Sequence, residues 1–124
     1  LTSSNIEITG WKTRNEVLRI LNEQDVFILC SLWEGLPISL LEAMYLKKIC
    51  IVSDCIGNRD VIKNGENGYI AKDLNENIKI INNIVFKTKN NEEILRNAKN
   101  DIKNRFNIEK MVKKYSNIYN ERRI

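Results

Sequence analysis

The run Ser31-Leu-Trp-Glu-Gly-Leu-Pro-Ile-Ser-Leu-Leu-Glu-Ala-Met44 places two glutamates, Glu34 and Glu42, eight positions apart across a loop and the start of a helix. An apolar segment at residues 26–29 leads into the run and predicts a strand. Glu34 is therefore expected just beyond the carboxyl end of that strand. Ligands bind at this edge of open α/β sheets. The run thus indicates both a fold class and a candidate site.

A helix is predicted directly after the loop. Pro37 suits the first turn of a helix, where its missing N–H costs nothing, and the residues after it continue an apolar helical pattern. Glu42 interrupts that pattern about one turn into a mostly buried helix. Because an unpaired buried charge is costly, this carboxylate needs hydrogen-bond donors. A ligand's pair of hydroxyl groups would supply them, and so would a basic side chain of the protein.

The rest of the chain predicts an α/β fold. Strand and helix patterns alternate through the first two thirds, which favours βα units and a parallel sheet with helices on its faces. Four segments are expected to be strands: Ile6–Thr9, Val26–Leu29, Ile49–Ser53 and Gly68–Ala71. The 124 residues are expected to form one partial domain, with βα units at about 1–73 and a helical part at about 74–124.

Residues that typically begin or end helices are found both near the start of the chain and after the predicted strands. Thr13 and Glu16 have the spacing of a capping box for a first helix that ends near Glu23. That helix is expected to bury Val17, Leu18 and Leu21. After Asp73 only helices are predicted, and Asn107 is expected to cap the last of them. Apolar residues share a face in the first two of these helices: Leu74, Ile78, Ile81 and Val85, then Leu95, Ala98, Ile102 and Phe106. The last helix is expected to bury Met111, Tyr115 and Ile118.

Composition limits the function classes. The hydrophobic content of 43% is enough for the core of one domain. No stretch approaches the length of a membrane span, and the first residues carry no signal-peptide pattern. The three cysteines lack metal-site spacing, and the chain has no histidine, which favours a reduced, cytoplasmic setting. Cys30 and Cys50 are predicted to be small buried hydrophobic residues.

Basic residues concentrate at the C-terminal end, with eleven Lys and Arg against five Asp and Glu from residue 87 onward. One interpretation is attraction to an anionic membrane surface or to a partner domain. The other is a solvated helical face. Aromatic residues do not alternate with these charges, so nucleic acid is not expected as a partner.

The central run and the segments after it resemble the donor-binding half of group 1 glycosyltransferases, retaining enzymes with two facing Rossmann-like domains in the GT-B architecture. In that family a glutamate opens a loop, seven residues intervene, and a second glutamate stands before Ala-Met or a similar pair. Glu34 and Glu42-Ala43-Met44 match this pattern. A strand, a Ser-Asp step and an Asn-Gly-Glu-Asn-Gly turn follow in the family, as they do here at 49–54 and 64–68. The resemblance covers roughly Ile6 to Asp73.

The resemblance implies a function for the full protein and a role for each matching residue. The protein would transfer a sugar from a nucleoside-diphosphate sugar to a glycan or lipid-linked acceptor, with retention, in surface polysaccharide or glycoconjugate synthesis. Glu34 would be the catalytic residue beside the transferred sugar, and Glu42 would accept hydrogen bonds from the two ribose hydroxyls. Five further residues would bind the donor at a helix N-terminus, which suits a diphosphate: Gly35, Leu36, Pro37, Ile38 and Ser39.

The resemblance also implies what this segment lacks. Neither a metal ion nor a cofactor is expected, because the family typically holds the diphosphate with basic side chains and backbone amides. Those basic residues and the acceptor-binding domain lie upstream in the family, so the segment alone is expected to be inactive. The protein would be cytoplasmic or peripheral at the inner face of the membrane. The alternative function is a non-catalytic Rossmann-like binding or interaction module.

Alternative roles remain open for individual residues. Glu34 could hydrogen-bond within its own loop, and Glu42 could pair with a basic side chain. A second group of residues follows the strand at 49–53 and either borders the same cleft or forms a surface loop: Asp54, Gly57, Asn58 and Arg59.

Overall fold

The computed structural model describes residues 4–86 and 91–121. Helices and strands alternate through the first part: α1 (Arg14–Asn22), β1 (Val26–Leu29), α2 (Ile38–Tyr45), β2 (Ile49–Ser53), α3 (Ile56–Val61) and β3 (Tyr69–Ala71). Within the described residues, helices alone follow: α4 (Leu74–Val85), α5 (Asn91–Arg105) and α6 (Ile108–Glu121). The short helix α3 is an element that the sequence pattern did not predict.

The strands form a parallel sheet in the order β1-β2-β3. Val26 pairs with Ile49, and Ile51 pairs with Tyr69. The first four residues of β2 are buried, as expected for a parallel strand covered on both faces. The α/β fold prediction is confirmed. Because β1 and β2 run in the same direction, the residues after Leu29 and after Ser53 meet at one edge of the sheet.

Alternate residues of β2 point into two apolar clusters on opposite faces of the sheet. Cys50 and Val52 belong to a cluster that also contains residues of α2 and the second half of α5. Ile49 and Ile51 belong to the other cluster, with Ile84 of α4 and the start of α5. Helix α5 therefore contributes to both sides of the core, and α2 is fixed firmly against the sheet.

The predicted capping box at the start of α1 is present. The Thr13 backbone N–H donates to Glu16 Oε2 at 2.8 Å, and the Glu16 N–H donates to the Thr13 hydroxyl. Glu23 is the C-cap, as predicted. Leu21 is buried, but the predicted burial of Val17 is wrong. Val17 is exposed because it lines an open cavity beside β1 rather than the core.

The predicted strand at 6–9 is wrong. These residues have no regular secondary structure, and Ile6 and Ile8 are exposed. Their alternating pattern is typical of a strand, but a strand also needs a neighbour with which to pair. Among the described residues, β1 is bonded only to β2, and no strand pairs with 6–9.

Two of the three predicted helical faces need correction. In α4, Leu74, Ile78 and Val85 are exposed, whereas Ile84 is buried and Ile80 and Ile81 pack against its cluster. The helix turns the 80–81–84 face toward the sheet instead. In α5, Ala98 and Ile102 are buried and Phe106 is half-buried, as predicted.

Helix α6 has its predicted cap but not its predicted burial. The Asn107 side-chain oxygen accepts from the Lys110 N–H at 2.8 Å. Met111, Tyr115 and Ile118 are all exposed, because nothing in the described part of the chain covers that face. Four basic residues of the C-terminal excess lie outside the described residues: Lys87, Lys89, Arg122 and Arg123.

The cysteines are free. Cys50 is buried as predicted, but Cys30 is exposed, because it follows the edge strand β1 and starts a surface loop. None of the described helices has the length and apolar character that crossing a membrane requires.

Candidate functional site

The loop at 30–37, which carries Glu34, rests directly on the start of α3. A Cβ atom on Gly57 would lie 2.2 Å from the carbonyl oxygen of Gly35 and 2.4 Å from that of Glu34. Side-chain carbons do not approach backbone atoms this closely, so this position requires glycine. Gly57 thereby sets how closely the loop after β1 sits against the turn after β2.

Side-chain hydrogen bonds connect Glu34 to a buried amide. The Nδ2 group of Asn58, which is fully buried, donates to the Ser53 carbonyl at 2.9 Å. The Ser53 hydroxyl donates to the carbonyl of Ser31, and the Ser31 hydroxyl donates to Glu34 Oε1 at 2.6 Å. The alternative role of Glu34, a hydrogen bond within its loop, is therefore present. An ionised carboxylate has about four acceptor positions, so this bond leaves capacity for a ligand.

Glu34 lines an open pocket of about 340 Å³ that lies over the start of α3. Arg59 closes one side of it and pairs with Asp54, with Nε 2.5 Å from Oδ1. The hydrogen bond from Arg59 holds the pKa of Asp54 below its usual range, so Asp54 is ionised at neutral pH. Asp54 and Arg59 thus border the same cleft as Glu34, whereas Gly57 and Asn58 support the loop from beneath. The remaining lining residues are Leu32, Trp33, Cys55 and Ile56.

Glu42 lies in the second turn of α2 and contacts a basic side chain, the alternative that the sequence left open. Nη2 of Arg14, at the start of α1, lies 2.6 Å from Glu42 Oε1. The Glu42 side chain is 19% exposed and that of Arg14 is 71% exposed. The carboxylate is thus largely sheltered, while its partner lies mostly in solvent and has room to move.

A second pocket, of about 290 Å³, opens beside Glu42. It is largely apolar, and its walls come from α1, β1, the start of α2 and the segment at 9–12: Thr9, Gly10, Lys12, Val17, Ile20, Leu21, Gln24, Val26, Phe27, Ile28 and Ser39. The structure therefore does not gather the two glutamates into one cavity. Each lines its own pocket, and the chain from 35 to 38 connects them.

The N-terminus of α2 lies on this connection. Pro37 is the N-cap, one position before the predicted first turn, and no side chain caps the helix. The first hydrogen bonds of the helix run from Leu40 and Leu41 to the Pro37 carbonyl. The N–H groups of Ile38 and Ser39 precede these bonds, as the first N–H groups of every helix do. With the positive end of the helix dipole, they suit an anionic ligand. Pro37 is buried; the other predicted donor-binding residues of this segment are exposed: Gly35, Leu36, Ile38 and Ser39.

Metal ligands are not gathered around either glutamate. Across residues 4–86 and 91–121, no group of three or more His, Cys, Asp or Glu side chains is placed to hold a metal ion. A further cavity, of about 550 Å³, lies between α5 and α6 and is lined by basic side chains that include Lys110, Lys113 and Lys114.

Comparison with known proteins identifies the family. The model for Glycosyl transferases group 1 matches residues 1–114. The chain belongs to this family. An Escherichia coli group 1 relative, UDP-Gal:alpha-D-GlcNAc-diphosphoundecaprenol alpha-1,3-galactosyltransferase, is 40% identical over 116 residues, which cover 90% of this chain and 29% of that protein. A Campylobacter jejuni relative, N,N'-diacetylbacillosaminyl-diphospho-undecaprenol alpha-1,3-N-acetylgalactosaminyltransferase, is 38% identical over 73 residues, which cover 55% of this chain and 19% of that protein.

The fold of this group 1 chain is also found in a solved structure. The Anabaena protein HepE, crystallised in complex with UDP, superposes with a TM-score of 0.77 at 18% identity, covering 87% of this chain and 30% of HepE. This similarity confirms the Rossmann-like fold of GT-B glycosyltransferases. The chain spans less than a third of the length of each of these proteins.

Sequence reasoning missed several residues of the site. A basic partner for Glu42 was foreseen, but Arg14 was not identified, because the contact joins two separate helices. The links from Ser31 to Ser53 and from Ser53 to Asn58 depend on the register of β1 with β2. Trp33 had a signal in the sequence, since a large aromatic residue stands directly before Glu34 in the loop that the sequence marked as a candidate site.

Proposed function

We propose that the protein containing this chain is a glycosyltransferase, and that these residues bind its nucleoside-diphosphate sugar donor. The observation that carries the proposal is the environment of Glu42. Its sheltered carboxylate lies at the rim of a largely apolar pocket, beside an uncapped helix N-terminus, and is held by a mostly exposed arginine. The apolar pocket suits a nucleoside, and the helix N-terminus suits a diphosphate. The exposed arginine suits a counterion that the ligand displaces.

The pocket beside Glu42 would take the nucleoside. Its apolar walls, which include Val17, Ile20 and Phe27, offer a surface for a planar base. The Glu42 carboxylate would accept hydrogen bonds from the two ribose hydroxyls in place of Arg14. A carboxylate has acceptor positions enough for both hydroxyls.

The diphosphate would lie at the N-terminus of α2, where Ile38 and Ser39 offer N–H groups. Pro37 lacks an N–H and offers none. Neither a metal ion nor a cofactor is part of the proposal. The additional basic groups expected at a diphosphate would come from other parts of the full protein.

Glu34 would lie beside the transferred sugar. The Ser31 hydroxyl orients its carboxylate, which leaves the other oxygen to contact sugar hydroxyls or the positive charge that develops at the anomeric carbon. Fixed charges that face developing charge are a major source of catalysis. Transfer with retention is inferred from family resemblance alone.

The acceptor would be lipid-linked or a glycan, in surface polysaccharide or glycoconjugate synthesis. The names of the E. coli and C. jejuni relatives specify diphosphoundecaprenol-linked sugars as the acceptors of those enzymes. With such an acceptor, the protein would act in the cytoplasm or at the inner face of the membrane. The exposed apolar face of α6 and its lysines suit contact with a membrane or with a partner domain. The 124 residues alone would be inactive, because transfer requires both substrates to be oriented together.

The test is an NMR titration of the isotope-labelled protein with UDP, GDP and their common sugar conjugates. The expected result is a set of chemical-shift changes concentrated from Gly35 to Glu42 and in the pocket of Val17 and Phe27, with one base preferred. The matched control is Glu42→Gln, which should weaken the response without changing the fold. A full-length protein that shows no such changes with any nucleotide would favour the non-catalytic binding module.

A further inference from the structure

The pocket beside Glu34 combines an exposed aromatic side chain with paired charges. Trp33 is 82% exposed at its rim, and Ile56 is exposed at the start of α3. The Asp54–Arg59 pair forms the opposite wall. Among residues 4–86 and 91–121, none lines both this pocket and the one beside Glu42. The pocket is therefore a separate space on the β2–α3 side of Glu34.

This combination suits a sugar ring. A pyranose has apolar C–H faces and a rim of hydroxyl groups. The flat indole of Trp33 offers an apolar surface with a negative face on which C–H groups can stack. Asp54 and Arg59 offer charged acceptors and donors for hydroxyls, which form stronger hydrogen bonds than neutral groups do. Both kinds of contact are present in one pocket of about 340 Å³.

The charges argue against other ligands. Glu34 and Asp54 place two carboxylates here against the guanidinium of Arg59 and the charge of Lys72, which also acts on Asp54, so the pocket offers a diphosphate no excess of positive charge. The Arg59 hydrogen bond keeps the pKa of Asp54 low, which maintains that negative charge at neutral pH. A purely apolar lipid chain would remove water from these charged groups and offer them no further hydrogen bonds. A neutral polyhydroxylated ring satisfies all of them.

We propose that the pocket lined by Trp33, Asp54 and Arg59 contacts the sugar ring of the acceptor, whose other contacts would come from the acceptor-binding domain. This inference rests on the proposed donor site. If the donor extends from Glu42 to Glu34, a second sugar must lie beyond Glu34 for its hydroxyl to reach the anomeric carbon. The pocket of Trp33 occupies that place. Trp33 would then be a specificity-determining residue that acts on the acceptor and not on the donor.

The test uses the full-length protein and methyl α-glycosides of glucose, galactose, N-acetylglucosamine and N-acetylgalactosamine as probes. Their binding is measured by saturation-transfer NMR, with and without UDP or GDP. We expect at least one glycoside to bind, and Trp33→Leu to weaken that binding about tenfold. Trp33→Phe should restore part of the affinity, because it keeps a flat ring.

The other tryptophan supplies a matched control. Trp11 is as exposed as Trp33 but lies outside the pocket, so Trp11→Leu should leave glycoside binding unchanged. Glu42→Gln should weaken nucleotide binding and leave glycoside binding intact. A variant that loses only nucleotide binding therefore reports on the proposed donor site. A variant that loses only glycoside binding reports on this pocket.

Three outcomes would overturn the inference. Absence of glycoside binding by the folded wild-type protein is one. Equal affinity in wild type and Trp33→Leu is another. The third is a Trp33→Leu variant that binds the nucleotide sugar as poorly as it binds the glycoside, because the pocket would then hold the donor's sugar.

Discussion

Arg14 of α1 and Glu42 of α2 form an ion pair with 2.6 Å between Nη2 and Oε1, although the two partners differ greatly in exposure. Most of the arginine lies in solvent, and ion pairs of this kind typically contribute only about 0–1 kcal/mol. The carboxylate, in contrast, is sheltered and requires donors. A ligand with two hydroxyl groups can therefore replace Arg14 at small cost, which makes this pair a displaceable contact.

Replacement of Glu42 tests whether that carboxylate binds the donor. Glu42→Gln should weaken nucleotide-sugar binding by about 1–3 kcal/mol, the scale for loss of a charged hydrogen-bond acceptor in a sheltered site. Isothermal titration calorimetry of the full-length protein provides the measurement. Arg14→Gln is the control and should leave binding unchanged or slightly tighter, because it removes only the competing partner. A well-folded Glu42→Gln variant with wild-type affinity would exclude the ribose role.

The position of the loop at 30–37, which carries Glu34, depends on the absence of a side chain at residue 57. Gly57→Ala would place a methyl group against two backbone carbonyls, which cannot yield as a flexible side chain can. We expect a loss of about 1–3 kcal/mol in the free energy of unfolding, the usual cost of forced overpacking. Urea denaturation measures it.

A second glycine provides the comparison for Gly57. A Cβ atom on Gly35 would have no described heavy atom within 4 Å, so Gly35→Ala should unfold at nearly the wild-type urea concentration. If Gly57→Ala proves as stable as Gly35→Ala, the loop does not rest on α3 as described.

The elements that the sequence predicted well are those with local signals. The Thr13–Glu16 capping box and the Asn107 cap depend on residues three positions apart, and both form. The strand β2 was predicted at its observed bounds because it is a continuous apolar run closed by Ser53 and Asp54. The loop and helix that carry the two glutamates were also predicted from a local signal, namely Pro37 and the apolar residues that follow it.

The predictions that failed required knowledge of neighbours. An alternating or helical apolar pattern shows that a face exists but not that another element covers it, and this accounts for residues 6–9 and for α6. The contacts of the site have the same limitation. Arg14 meets Glu42, and Ser53 meets Ser31, only after the sheet and its helices are assembled.

Glu34 should matter more for turnover than for folding. In the full-length enzyme, Glu34→Ala is expected to lower kcat about 100-fold, as removal of one stabilising group at developing charge does. Its thermal unfolding should change little, because the side chain makes a single hydrogen bond at the surface of the loop. Ser31→Ala is the control, since it removes that bond but keeps the carboxylate, and it should cost far less activity. Equal losses of activity and stability in Glu34→Ala would indicate a purely structural role.

The thiols of this chain should differ sharply in reactivity. Burial raises the pKa of Cys50 to about 12, so this thiol stays protonated at the pH of ordinary labelling, and the reactive species is the thiolate. Cys30 is exposed, whereas Cys55 is buried like Cys50. Ellman's reagent should therefore label one thiol rapidly in the native chain, and Cys30→Ser should abolish that phase. Rapid labelling that persists in Cys30→Ser would show that one of the buried thiols, Cys50 or Cys55, is accessible to the reagent.

The capping box at α1 makes stability depend on pH with a defined sign. Hydrogen bonds from the Thr13 side chain and backbone hold the pKa of Glu16 below its ordinary value of 4.5. A carboxyl whose pKa is lowered on folding contributes stability above its unfolded pKa and loses it as the pH falls through its folded pKa.

Thr13→Ala removes the helix cap and should cost about 1 kcal/mol at neutral pH. Urea denaturation at neutral pH and at an acid pH below the folded pKa of Glu16 should show the stability gap between wild type and Thr13→Ala narrowing in acid, because Glu16 is then protonated in both proteins. Thr9→Ala is the control, because the Thr9 hydroxyl bonds only to the adjacent Gly10 carbonyl. A gap of the same size at both pH values would mean that the Glu16 carboxylate does not take part in the cap.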